Sequence, residues 1–173
     1  FATVLLILVV GKACNHAERS SKLDKVYDAT VILGKTSSTG GPECEIRLVA
    51  SPQSAISSEK RRKVLEQLTG EIEQTPPIYS AIKIGGQRAY KLARAGKAVT
   101  MPKRSVTIYS IEIISYQYPE LKIRAHVASG TYIRTLAEDI GAQLGVGGYC
   151  AELRRTQIRY YKVSDAVDFK IVQ

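Results

Sequence analysis

The sequence predicts an α+β fold in which a mostly antiparallel, mixed sheet is flanked by helices. Two observations predict it. Strand-like runs come in adjacent groups with helices interspersed irregularly, which argues against a doubly wound parallel sheet. A hairpin of two strand-like runs is followed directly by the best helix of the chain, an amphipathic one. With 173 residues, 45% of them hydrophobic and 24% charged, the chain is long enough for one domain with a real core, and disorder is excluded. No internal repeat or low-complexity tract divides it, so residues 1–173 read as a single domain.

Taken in order, the apolar run Phe1–Val10 is too short to span a bilayer and reads as a buried strand or helix. Lys25–Leu33 alternates and is rich in β-branched residues, a strand ending at Gly34. Lys35–Pro42 is a polar, Gly-rich loop, and Cys44–Val49 a second strand. Ser58 caps a helix over Glu59–Thr69 that places Val64, Leu65 and Leu68 on one face and stops at Gly70. Two prolines give Thr75–Lys83 an extended path, Gly85 and Gly86 make a turn, and a short helix covers Ala89–Ala95. Ser105–Tyr116 and Leu121–Ser129 form a hairpin through Tyr118, Pro119 and Glu120. Tyr132, Leu136, Ile140 and Leu144 recur every fourth residue on the best helix, with Ser129 or Thr131 as its cap and Gly145 after its end. A closing strand pair uses Tyr149–Leu153 and Gln157–Val163.

Twenty-five Lys and Arg against sixteen Asp and Glu give a net charge of +9, which makes a polyanion the first partner to test. Cys14, Cys44 and Cys150 are odd in number and far apart, so neither a disulfide framework nor a zinc knuckle is indicated, and a reducing compartment is expected. The two histidines, His16 and His126, have no ligand-spaced neighbours, and no metal site is expected. Nucleotide-binding glycine motifs are also lacking. Because the chain begins with Phe and has Met101 as its only methionine, an incomplete N-terminus is expected.

The informative segment is Ser129–Gly141, where a glycine turns the chain sharply into a helix carrying Tyr132 and Arg134 in its first turn. Arg134 there either holds a carboxylate or phosphate in a two-pronged contact, helped by the helix N-terminus, or pairs with Glu138 one turn on. Tyr27 and Tyr79 are either stacking platforms for a flipped base or amphipathic fillers at a core edge. Lys83, Arg88, Lys91, Arg94 and Lys97, interleaved with Tyr90, suit phosphate contacts and equally a solvated helix face.

Together these motifs resemble the TruB family of tRNA pseudouridine synthases, and the likeness covers nearly the whole chain. Phe1-Ala2-Thr3-Val4-Leu5-Leu6 looks like the tail of the family's G-T-L-D-P-x-A-T-G-L-L segment, and Lys25-Val26-Tyr27 its K-x-Y strand. Pro77-Ile78-Tyr79-Ser80-Ala81-Ile82-Lys83 with Gly86, Ala89-Tyr90 and Ala93-Arg94-Ala95-Gly96 is similar to its P-x-Y-S-A-x-K-x-x-G-x-x-A-Y-x-x-A-R-x-G stretch. Gly130-Thr131-Tyr132-Ile133-Arg134 with Asp139-Ile140-Gly141 resembles its G-T-Y-I-R helix start, and Leu153-Arg154-Arg155-Thr156 its L-R-R-T.

The resemblance implies a pseudouridine synthase-like catalytic domain without cofactor that isomerises uridine 55 in the T-loop of tRNA. The catalytic pair of this chain would be Tyr27, stacked on the target base, and Arg134, paired with an Asp that the family pattern places just ahead of Phe1. Tyr132 and Leu153 would line the uracil pocket, with Lys25, Tyr79 and Lys83 completing the substrate-binding set. The expected partner is the T-arm stem-loop of tRNA, with no membrane, a monomeric state and a cytoplasmic location. Without the Asp, the 173 residues are expected to bind structured RNA and not to isomerise it. The competing expectation is a catalytically silent RNA-binding or RNA-folding protein. Three positions depart from the pattern: Val4 stands for a glycine, Arg159 for another, and Cys14 where Thr is common. The appended C-terminal RNA-binding domain of some members is not expected after Asp168.

Overall fold

The computed structural model describes residues 2–49 and 56–167. Phe1, residues 50–55 and residues 168–173 therefore lie outside the described residues. The elements run β1 (Ala2–Val4), α1 (Ala17–Ser21), β2 (Lys25–Leu33), β3 (Lys35–Ser37), β4 (Ile46–Leu48), α2 (Ser58–Gln67) and β5 (Gly70–Gln74). There follow β6 (Lys83–Ile84), β7 (Gln87–Arg88), α3 (Ala89–Arg94), β8 (Arg104–Gln117), β9 (Glu120–Val127), α4 (Ile133–Gln143), β10 (Gly148–Ile158) and β11 (Tyr161–Lys162).

Seven strands form one sheet in the order β1-β10-β2-β9-β8-β5, with β11 folded back on β10. Only β1 runs parallel to its neighbour, so the sheet is mixed and mostly antiparallel, as the sequence predicts. β3 with β4, and β6 with β7, make two small separate ribbons.

Alternation along β2 decides which side of the sheet is covered. Ala29, Val31 and Leu33 join Ile123, Ala125 and Val127 of β9 and Cys150 of β10 in one apolar cluster, onto which α2 sends Val64 and Leu65 and α4 sends Leu136 and Ile140. Full burial of each large aliphatic side chain contributes about 1.5–3 kcal/mol, so α4 is held by its apolar stripe rather than by its own propensity. The intervening residues face the other side, where Asp28 forms a two-pronged ion pair with Arg124 and Thr30 donates to Glu152.

Several expectations are corrected. The opening apolar run is not buried: Leu5 is, but Val4, Leu6, Leu8 and Val10 are exposed, and only Ala2–Val4 form a strand, at the edge of the sheet. Lys35–Ser37, expected as loop, pairs with β4. The helix cap is Ser57, whose hydroxyl accepts from the Lys60 amide, rather than Ser58. Gly70 does not merely stop that helix but starts β5, whose short pattern carries no sequence signal. The closing pair divides later than expected: β10 continues through Leu153–Thr156 to Ile158, with register shifts at Cys150/Glu152 and Arg155/Gln157, and its partner is the short β11. Among the described residues no helix is long and apolar enough to cross a membrane.

Candidate active site

The head of α4 is where distant parts of the chain meet. Its N-cap is Tyr132, which makes no side-chain cap, and Thr131 turns its hydroxyl back to the Ala128 carbonyl. The cap expected from Ser129 or Thr131 is thus supplied from elsewhere: the Tyr132 amide donates to Oε1 of Gln74, at 3.1 Å, across 58 residues of chain. One residue into the helix turn, Arg134 spans two loops. Its guanidinium donates to the Thr39 carbonyl at 3.2 Å and to the Tyr79 carbonyl at 3.0 Å. These bonds replace the one-turn pairing with Glu138 that spacing alone allowed.

Close packing fixes this geometry from behind. A Cβ on Gly40 would lie 2.7 Å from Oε1 of Glu138 and 3.2 Å from the Arg134 Cβ, so the loop reaches α4 only because a glycine stands there. The Gly40 carbonyl in turn accepts from the Cys150 amide on β10. Burial and the neighbouring Asp139 push the Glu138 carboxyl up to about 6, while Arg134 pulls it partly back. Burial likewise pushes the Cys150 thiol up to about 12, which leaves it an inert core group.

Tyr27 and Leu153 lie on the helix-covered side of the sheet, both packed against the apolar cluster that α4 caps. Tyr27 stands opposite Arg155, and Leu153 opposite Ala29. Lys25 begins the same strand, but its ammonium donates to the Ser21 and Leu23 carbonyls, and burial together with nearby Arg155 lowers its pKa. Arg155, which sequence reading left without a role, donates twice to the Leu5 carbonyl, at 2.9 and 2.7 Å, and so ties the chain after β1 to β10.

Tyr79 is exposed and lines a cleft of about 560 Å³ shared with Thr39, Thr135, Glu138 and Asp139. Beyond it, β6 and β7 form a two-residue hairpin in which Gly85 and Gly86 both take positive φ, +55° and +83°, as this tight turn requires. The hairpin sets Lys83 opposite Arg88, and α3 then carries Lys91 and Arg94, so the basic stretch is one compact, exposed projection. Hydrogen bonds thus join Arg134 to Tyr79 and Tyr132 to Gln74, while Tyr27 and Leu153 pack against the apolar cluster to which α4 contributes. Sequence reading missed Gln74, a buried amide just before Thr75-Pro76-Pro77, for which the only signal was a polar residue at a covered strand end.

Asp24 and Asp28, the carboxylates flanking Tyr27, are both engaged elsewhere. Asp24 lies 2.6 Å from His126 and 3.4 Å from Arg159, and Asp28 binds Arg124 on the far side of the sheet.

Residues 1–133 match the N-terminal domain of the TruB family pseudouridylate synthases, and residues 134–173 match the C-terminal domain of tRNA pseudouridylate synthase B. The boundary between the two matches falls within the first turn of α4, which is packed into the common core. The tRNA pseudouridine synthase B of Aromatoleum aromaticum is 43% identical over 166 residues, which are 96% of this chain and 53% of that protein. That of Francisella tularensis subsp. novicida is 41% identical over 165 residues, 95% of this chain and 55% of that protein. A chain in the crystal structure of a Cbf5-Nop10-Gar1 complex superposes with a TM-score of 0.68 at 26% identity, over 94% of this chain and 38% of its own length. A chain of an H/ACA RNP bound to a substrate RNA containing 2'-deoxyuridine has the same fold, with a TM-score of 0.63 at 23% identity, over 94% of this chain and 37% of that one. The chain belongs to the TruB family of pseudouridylate synthases. It spans about half the length of the curated relatives it matches.

Proposed function

We propose that this chain is the catalytic part of a tRNA pseudouridine synthase that isomerises uridine 55 in the T-loop, taking the T-arm stem-loop as substrate. The observation that carries the reading is Arg134 at the head of α4, joined to Tyr79 and carried by the helix whose apolar stripe packs on the same cluster as Tyr27 and Leu153. A uridine leaving its stack costs a few kcal/mol, about what one aromatic face and an apolar pocket wall return. In this reading Tyr27 stacks on the base, Tyr132 and Leu153 wall the pocket, and Tyr79, Lys83 and the basic projection hold phosphates. Lys25 serves indirectly, by fixing the start of β2.

Breaking the glycosidic bond needs a carboxylate. The TruB resemblance puts that acid ahead of Phe1, with Arg134 keeping it ionised, and Asp24 and Asp28 are already paired. No cofactor is required. The working unit is taken as a monomer, and a cytoplasmic location is supported by three free cysteines. The 173 residues then form one catalytic domain that binds RNA and leaves it unmodified. A second reading, a silent RNA-binding protein, is supported by Arg134 itself, whose bonds to two carbonyls need no carboxylate.

Incubation of this chain and of the whole protein with a T-arm hairpin, followed by nucleoside mass spectrometry, separates the cases. Pseudouridine from the whole protein alone supports the first reading. Binding by both without pseudouridine supports the second, and pseudouridine from the chain alone overturns the assignment of the acid.

A further inference from the structure

Gln74 is 1% exposed, and both ends of its amide address the same residue. Its Oε1 accepts from the Tyr132 amide at 3.1 Å, and its Nε2 donates to the Tyr132 carbonyl at 3.4 Å. That carbonyl also receives the first helical bond of α4, from Leu136 at 3.0 Å. A primary amide is costly to bury and is retained only when its polar atoms are matched. The pairing of β5 with β8 runs through the backbone and needs no amide at this position.

Two further bonds run in parallel between the same segments. Thr135 donates to the Thr75 carbonyl at 3.4 Å, and Arg134 to the Tyr79 carbonyl at 3.0 Å. The stretch from Gln74 to Tyr79 is therefore laced to the first turn of α4. Tyr79 leads directly into the basic projection of β6, β7 and α3.

We propose that Gln74 is a positioning residue, which sets the peptide plane at the head of α4 and thereby the directions in which Tyr132 and Arg134 project, while coupling that head to the basic projection. The inference rests on the reading of Tyr132 and Arg134 as the uridine-facing residues. A misplacement of about 1 Å at a reacting centre costs about 100-fold in rate with little change in binding, so Gln74 should act on the chemical step rather than on RNA affinity.

The test compares Gln74→Glu and Gln74→Met with the native residue in the whole protein, using a T-arm hairpin RNA. The Glu carboxylate can still accept from the Tyr132 amide but has no donor for its carbonyl. Once protonated it supplies both. The expected results for Gln74→Glu at pH 8 are a single-turnover rate about 10–100-fold lower and an RNA Kd within about threefold of native, with the rate deficit shrinking toward pH 6. Gln74→Met should lose rate at every pH. Hydrogen exchange at the Tyr132 amide, faster in Gln74→Met, reports the same geometry without reference to activity.

A native-like rate and pH profile in both variants would overturn the inference, even with faster exchange, since Gln74 would then be a helix cap only. If the native protein makes no pseudouridine, the functional reading fails separately. In that event the positioning role falls with it, because faster Tyr132 exchange in Gln74→Met would then mark a helix cap only.

Discussion

The backbone of Gly141 on α4 lies so close to Gly148 at the start of β10 that a Cβ on Gly141 would sit 2.1 Å from the Gly148 amide nitrogen. A Cβ on Gly148 would in turn meet the Ala137 carbonyl at 2.9 Å. Helix and strand touch here without side chains between them. That contact fixes the axis along which α4 presents its head to the rest of the site.

Gly141→Ala should therefore be among the most damaging small substitutions in the chain. Backbone atoms cannot swing aside as a side chain does, so the helix must shift as a body, at about 3 kcal/mol or more. Thermal unfolding should show a drop in Tm of about 6–12 °C. A drop under about 2 °C would mean that the interface has slack.

Arg159 has φ +52°, the left-handed region that an L side chain enters at a cost of about 1–2 kcal/mol. Its offsetting contact with Asp24 is long, at 3.4 Å, and exposed on the Arg side. Arg159→Gly should raise the urea midpoint, by about 0.5–1 kcal/mol of stability after the glycine's own entropy cost is deducted. An unchanged or lower midpoint would show that the Asp24 contact outweighs the strain.

This position illustrates how much could be read in advance. The departure from a family glycine at Arg159 was visible in the sequence, and the positive φ supplies its physical reason. β2 and the head of α4 were legible because alternation and four-residue spacing report burial directly. β5 and the length of β10 were not: a five-residue strand has too few alternations to register, and Leu153-Arg154-Arg155-Thr156 reads as polar although it continues the ladder. Gln74 was invisible for a different reason. Its meaning lies in a contact made across 58 residues, and no local pattern encodes that.

Two carboxyls give opposite pH dependences. The hydrogen bond from His126, first among the causes, holds Asp24 below its ordinary value, so its contribution to stability is present above the unfolded pKa of about 3.9 and is lost as pH falls below it. Glu138 is raised to about 6, so stability falls as pH rises from its unfolded value, about 4.3, toward 6 and is flat above. His126→Ala should lower Tm at pH 5 and narrow the further loss below pH 4, because the Asp24 pKa returns toward normal and its linkage to folding fades. Glu138→Gln should raise Tm at pH 8 but not at pH 4. Tm measured across pH for both variants checks the two signs, and a Glu138→Gln gain confined to pH 4 would contradict the burial argument.

Lys83 and Arg88 face each other on the exposed hairpin. If they contact phosphates, Lys83→Ala should weaken RNA binding several-fold and reduce the slope of log Kd against log salt by about 1. Fluorescence anisotropy at several salt concentrations measures both. A weaker affinity with an unchanged slope would assign Lys83 to a fold role instead.

The five bonds at the head of α4 join residues 55 to 95 positions apart in the chain. Loops of that length close slowly and repay their entropy only when the contacts at their ends are complete. The site is accordingly a late product of folding, formed after the central strands have already paired. No isolated hairpin or helix cut from this protein should retain its RNA-facing geometry, and in a refolding experiment recognition of the hairpin RNA should return after, and never before, the burial of the sheet.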